Sequence, residues 1–374
     1  MHRGVATFTL DWGKCPAWLF ERMVKLSRII VFAIVENFGP KEFLKRLSDP
    51  VWFQALGSLL AFDWNASGLT TTLMAALKQV LNNEGKDLGI FICGGKGKIS
   101  RKTPDEILMI AEENNLSYTR AQHYIYLSKL TAKVDSALIQ DGFNLYHHNF
   151  IFTKEGDWVV IQQGMNTQLI KARRYHWFSE SVKDLTIQPH RGIQSEVVLS
   201  KVLNLVDKKS LPNREGTFKL VKEKKSLLYE IKRIKRLTDN SQLTFLDLSD
   251  RDFYFHPVLK EDFLNEKRWQ KLTDSFSQKP INSFEDILMT KDVGPKTIRA
   301  LTLVSEVIFG AKPSYEDPVR YSFAFGGKDG IPYPVEKRNY DLVIEIIEKA
   351  IKKSNLNYFE KERLLKKVET VYKF

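Results

Sequence analysis

Two cysteines, Cys15 and Cys93, are too few for a disulfide framework or a four-thiolate zinc site. No apolar run approaches the length of a membrane span. The opening stretch, Met1 to Asp11, is interrupted by polar residues and lacks a small-residue cleavage pattern, so it does not read as a signal peptide. The expected compartment is therefore a prokaryotic cytoplasm, nucleoid-associated if the partner is DNA. Acidic residues are also in deficit. The 374 residues hold 45 Asp and Glu against 57 Lys and Arg, a net charge of +12, with a pI near 9.4. That balance favours a polyanionic partner, most simply nucleic acid, bound in a salt-sensitive way. The spacing of a nucleotide P-loop is missing, as is any complete metal motif. No nucleotide cofactor, other cofactor or metal site is expected. Abundant Lys, Glu and Ile are compatible with a thermophile.

Seven of the twelve net charges fall in residues 207–236, where eleven Lys and Arg face four acids. This stretch reads as a basic helical connector, bounded near Leu211 to Gly216, with its helix over Lys219 to Leu237. The fold class expected is α+β. Residues 1–205 form a mixed α/β domain, 206–236 the connector, and 237–374 a mainly helical domain. In the first domain, Val5 to Leu10 reads as a strand, and Trp18 to Asn37 as a helix ended by Gly39-Pro40. Further helical pieces cover Lys41 to Leu47 and Pro50 to Phe62, then a helix through Leu81.

Gly89 to Cys93 reads as a short buried strand running into Gly94-Gly-Lys-Gly-Lys98. Glycines with cations after a strand can cradle phosphate through backbone N–H groups, which makes Lys96, Lys98 and Arg101 candidate contacts. Phe150 to Thr153 and Trp158 to Gln163 read as strands joined by a Lys154-Glu-Gly-Asp157 turn. Around them cluster His147, His148, Asn149, Gln162, Gln163, Arg173, Arg174 and His176, interleaved with Tyr146, Tyr175 and Trp177. Cations beside aromatics suit phosphate contact and base stacking, so Arg173, Arg174 and His176 are further DNA candidates. A metal-dependent nuclease site in 146–177 and a polar structural face are the alternatives.

The second domain is organised around Ile287 to Leu301. An amphipathic segment enters the tight turn Asp292-Val-Gly-Pro295, and a second helix leaves it with Ile298, Leu301, Val304, Val307 and Ile308 on one face. Unpaired N–H groups and the positive dipole end of that helix suit one phosphate. Val293 is expected to plug the hairpin core, Gly294 to let a phosphate close in, and Thr297 to sit in the same contact. Pro295 fits the first helical turn.

Val293-Gly-Pro-Lys-Thr297 and its helix resemble the helix-hairpin-helix of DNA-repair proteins, most closely that of the endonuclease-three superfamily of DNA glycosylases. The resemblance implies a nucleophilic lysine at Lys296 and a catalytic aspartate about twenty residues on, where Asp317 stands 21 positions later. The alternatives are a phosphate-binding cation at Lys296 and a turn or cap residue at Asp317. Asp292 departs from the glycine of that pattern; aspartate tolerates the left-handed backbone but brings a negative charge near the phosphate.

Across nearly the whole chain, Thr9 to Met23, Ser67-Gly-Leu-Thr70, Gly94 to Gly97, Ile161 to Met165, Ala172 to Trp177 and Ala324 to Gly330 resemble an archaeal and bacterial family known only as a domain of unknown function. The expected function is a DNA-repair enzyme acting on damaged or modified double-stranded DNA. A glycosylase, with or without AP-lyase chemistry, would use Lys296 and Asp317. A non-catalytic DNA-binding module and a metal-dependent nuclease are the other readings.

Overall fold

Phe150, Phe152 and Val160 alternate along two neighbouring strands with Ile151, Val159 and Ile161, and both sets are buried. A sheet apolar on both faces needs cover on both. The fold, given by a computed structural model, supplies it. The structure describes residues 8–10, 15–61, 66–223, 227–232, 266–278 and 280–319, together with 358–359, 361–362 and 365–366.

Four helices come first: α1 (Ala17–Phe38), α2 (Pro40–Leu47), α3 (Pro50–Ala61) and α4 (Ala66–Leu88). Strand β1 (Ile90–Lys96) follows, then α5 (Thr103–Glu113) and α6 (Tyr118–Lys133). A π-helical turn over Val134–Leu138 leads to the short β2 (Ile139–Gln140). Then come β3 (Asn144–Thr153), β4 (Trp158–Asn166), β5 (Lys171–Phe178), β6 (Gly192–Ser195) and the short β7 (Leu203–Asn204). Further helices are α7 (Leu211–Lys222), α8 (Glu266–Ser277), α9 (Phe284–Met289) and α10 (Pro295–Phe309).

The main sheet is antiparallel, in the order β1-β3-β4-β5-β6, and β2 pairs separately with β7. One face, carrying Ile92, Ile151, Val159 and Phe178, packs under α1 to α4. The other, carrying Phe150, Val160, Tyr175 and Trp177, packs under α5, α6 and the later helices. The α+β class is thus observed, as a sheet between two helical layers. The second apolar cluster runs without a break from the sheet through Leu220 and Val221 of α7 to Leu288 of α9 and Leu301 of α10. One core therefore crosses the boundaries expected at 205 and 236.

The expected helices and the 154–157 turn have counterparts here, but β3 starts six residues before Phe150, and β5 and β6 were not foreseen as strands. Their polar sequences do not alternate with apolar residues, because this end of the sheet buries polar side chains on both faces. The basic helix begins at Leu211 rather than Lys219, and its Arg214 turns inward, donating to Thr186 O and lying over Phe284. Of the strand expected over Val5 to Leu10, residues 8–10 are described, with Thr9 bridged to Lys171. Much of the domain expected over 237–374, including residues 237–265, the segment Ala324 to Gly330 and residues 320–357, lies outside the described residues.

Phe150 is fully buried, and its ring stacks on Trp158 at 5.9 Å. Phe150→Ala is expected to lower stability by about 3–5 kcal/mol. Tyr118→Ala, at a side chain that is 73% exposed, is expected to change it by less than about 0.5 kcal/mol. Urea denaturation midpoints at constant slope measure both.

Candidate functional site

The two-helix hairpin forms with a capped entrance. Ser283 Oγ accepts from the Asp286 amide at 3.1 Å, and Asp286 accepts in return from the Ser283 amide at 2.9 Å, so α9 opens with a reciprocal capping box. Ile287, Leu288 and Val293 are buried in the hairpin's contact with the core. Asp292 takes the left-handed conformation, φ 66°, and its carboxylate pairs with Lys271 at 2.9 Å, so its charge is offset locally. Gly294 then begins α10 with an extended backbone and no side-chain cap. A Cβ added there would meet nothing within 4 Å. Neither φ nor packing demands glycine at this position, so open approach to the helix amides is what its missing side chain provides.

The hairpin is fastened from below. The Lys133 ammonium, at the end of α6, donates to the carbonyls of Leu288 (2.7 Å), Thr290 (3.2 Å) and Val293 (3.1 Å). All three of its N–H groups have carbonyl partners. Desolvation pulls its affinity for a proton below the ordinary lysine value, with Asp292 opposing. Gln140 of β2 donates to Pro295 O at 2.9 Å and accepts from Arg299 Nε at 2.6 Å. Burial pushes the Arg299 guanidinium down to about 9. Thr297 is buried and accepts from Arg268 at 3.3 Å, so it faces α8 rather than solvent. Lys291 and Lys296 are exposed on the turn.

Asp317 is held elsewhere. Its carboxylate takes Arg173 Nη1 at 3.1 Å and Nη2 at 2.8 Å, and also the amides of Leu199 (2.7 Å) and Val319 (3.0 Å). The bond to Val319 makes it a turn residue. Arg173 also donates to Asp141 at 2.7 Å and to Val197 O at 3.1 Å, and lies over the Phe143 ring. Desolvation works against the charge on Arg173, but Asp141 and Asp317 together outweigh it, so the proton is held more tightly than usual. Desolvation raises the Asp141 carboxyl, with Arg173 opposing. Lys296 is exposed on the turn, whereas the Asp317 carboxylate is occupied by Arg173 and two backbone amides.

Arg174 and His176 point to the opposite face. Arg174 donates to His176 Nε2 (2.8 Å), Thr70 Oγ1 (2.8 Å), Gln54 Oε1 (3.2 Å) and Gln194 Oε1, and lies between the rings of Phe53 and Phe8. Among the described residues no carboxylate partners it, and desolvation pushes it down to about 9. Arg173, Arg174 and His176 are each fully buried. Burial therefore removes all three from the DNA-facing surface expected of them; they are the polar interior of the sheet. Cross-strand register puts Lys96, His147, Gln163, Arg174 and Gln194 in one row across it.

The glycine loop is likewise structural at its start. Gly94 has φ 90°, and a Cβ there would lie 2.2 Å from His148 O, so β1 can approach β3 only with glycine. Its amide, which a phosphate cradle would leave open, donates to Glu106 at 2.7 Å, and Lys78 bridges Glu106 and Gly94 O. Lys96, Lys98 and Arg101 remain exposed around the 3-10 turn Gly97–Lys102.

Burial holds three histidines of this interior neutral. Desolvation lowers His147 to about 3, and also lowers His148 and His176. A depressed folded value means the unfolded chain binds the proton first. The stability is then complete above the ordinary value of 6.5 and is lost as pH falls below it toward 3. Each such histidine contributes a slope of up to about 1.4 kcal/mol per pH unit. Asp141, with its raised carboxyl, acts with the opposite sign. His147 has no hydrogen-bond partner on either ring nitrogen, so His147→Gln is expected to flatten the acid limb of stability by about that single-site slope, read from urea melts across pH.

No curated protein and no solved structure matches the chain. A family model described as "Protein of unknown function (DUF763)" matches residues 4–335, most of the sequence, and the chain belongs to that family.

Proposed function

We propose that this is a DNA-binding protein that grips the phosphate backbone with the turn between α9 and α10. The observation that carries the reading is Gly294: a glycine required by neither backbone nor packing, at the uncapped start of a 15-residue helix. Amides there and the positive end of the dipole suit an anion. Lys291 and Lys296 add exposed cations to the same turn. Lys96, Lys98 and Arg101, with Lys208, Lys209, Lys219 and Lys222, supply further exposed positive charge within the net +12. Duplex DNA is the partner that such spread, non-specific charge fits.

The finer reading, excision of a damaged base with a lyase step, requires Lys296 and Asp317 at one reacting centre. The four hydrogen bonds on the Asp317 carboxylate argue against that step here. Lys296 is assigned instead to phosphate contact. Borohydride trapping on a duplex carrying an abasic site is expected to give no Lys296-dependent adduct; an adduct lost in Lys296→Ala would restore the lyase reading.

Binding itself is tested by its salt dependence. Affinity for a duplex should fall steeply with salt, and Lys296→Ala or Lys291→Ala should each reduce the log–log slope by about one. Lys133→Met should weaken binding by loosening the turn, although its ammonium faces inward. A slope unchanged in both surface variants would remove the hairpin from the interface.

A further inference from the structure

Away from the hairpin, a cavity of about 190 Å³ opens beside β6 and β7, lined by Gln188, His190, Asn204, Asp207, Glu316 and Asp317 among others. One lining residue, His190, is held by a buried carboxylate. Asp135, on the π-helical turn, accepts from Gln162 Nε2 (2.6 Å) and Trp177 Nε1 (3.0 Å) on one oxygen, and pairs with His190 Nε2 (2.5 Å) on the other. Gln162 in turn meets His148, and His148 meets Ser128. The bond to Asp135 engages His190 Nε2 and fixes the ring, which leaves Nδ1 as the nitrogen outside that pair.

The rest of the lining is also rich in acceptors. Asn204 is 4% exposed and donates through Nδ2 to Glu316 O, which leaves its Oδ1 buried with no partner. Asp207 receives the Lys209 amide and Ser314 Oγ, Glu316 pairs with Lys209 near the rim, and Asp317 holds Arg173. Among the described residues, no Lys or Arg side chain lines the cavity. The described residues offer no group of three side chains placed to hold a metal ion. The space equals that of roughly six waters, below the usual range for drug-sized ligands.

We infer that this cavity binds a small organic cation through a protonated nitrogen, an alkylammonium or guanidinium group, received by Asn204 Oδ1 and His190 Nδ1 under the negative field of Asp207 and Glu316. Asp135 is a positioning residue: it fixes the ring of His190 so that its acceptor faces the ligand. A buried acceptor without a donor, as Asn204 Oδ1 is here, is costly, and a ligand N–H relieves it.

The test follows the histidine Cε1–H resonances of the full chain by NMR, with His190 assigned from His190→Gln. The probes are ethylammonium chloride and methylguanidinium chloride, against sodium acetate at matched ionic strength. A saturable shift of the His190 signal with one or both cations, and none with acetate, is expected; which cation saturates first tells ammonium from guanidinium. Glu316 is exposed at the rim, so Glu316→Gln should leave the fold intact and weaken binding roughly three- to fivefold. Asn204→Leu should abolish it. No saturable shift with either cation, an equal response to acetate, or undiminished binding in Glu316→Gln would overturn the assignment.

Discussion

The guanidinium of Arg173 is where three distant parts of the chain are joined. It rises from β5, meets Asp141 just beyond β2, and meets Asp317 beyond the end of α10, with none of the three side chains more than 1% exposed. Two carboxylates and one cation in a dry site are stable only while every partner is present. Removing one leaves an uncompensated buried charge, at a cost of about 3–5 kcal/mol. Replacing the whole set with apolar residues could cost far less, so the value of this ion triad lies in geometry. It fixes where the chain leaves α10 relative to the sheet. Lys133 and Gln140 fix where it enters. The hairpin is held at both ends, and its buried residues belong to the same apolar core as the sheet.

The same interior explains the polar character of β3 to β6. Polar groups taken from water must find partners or remain costly. Arg174 is satisfied by hydroxyl, amide and imidazole acceptors and by two rings, without an acid among the described residues. His148, Gln162, Asp135 and His190 form a continuous chain of hydrogen bonds that ends at the cavity. Two polar systems thus lie back to back on one sheet, one under α4 and one facing β7 and the segment after α10.

The hairpin was legible because its signals are local. Apolar spacing, the Gly294-Pro295 pair and the left-handed tolerance of Asp292 all lie within a dozen residues, and the observed helices follow them. The interior of the sheet was not legible. A run such as Arg173-Arg-Tyr-His176 reads as solvent-facing or ligand-facing, since its partners are remote in sequence: Asp317 lies 144 positions from Arg173, and Thr70 lies 104 from Arg174. Asp317 was picked out by spacing from Lys296, and spacing carries no information on whether a carboxylate is already taken. His190 and Asp135 were missed for the same reason; a lone His in a Gln-Pro-His-Arg segment gives no hint of a buried acid 55 positions earlier.

The central claim is that the turn at Gly294 is the DNA contact and the buried arginines are not. Its most direct measurement is NMR of the full chain as a short duplex is added, following the backbone amides of Gly294, Lys296 and Thr297 and the guanidinium Nε–H groups of Arg173 and Arg174. The account predicts large shifts at the three amides and none at the two guanidiniums. Silent hairpin amides, with changes at Arg173 or Arg174, would contradict it.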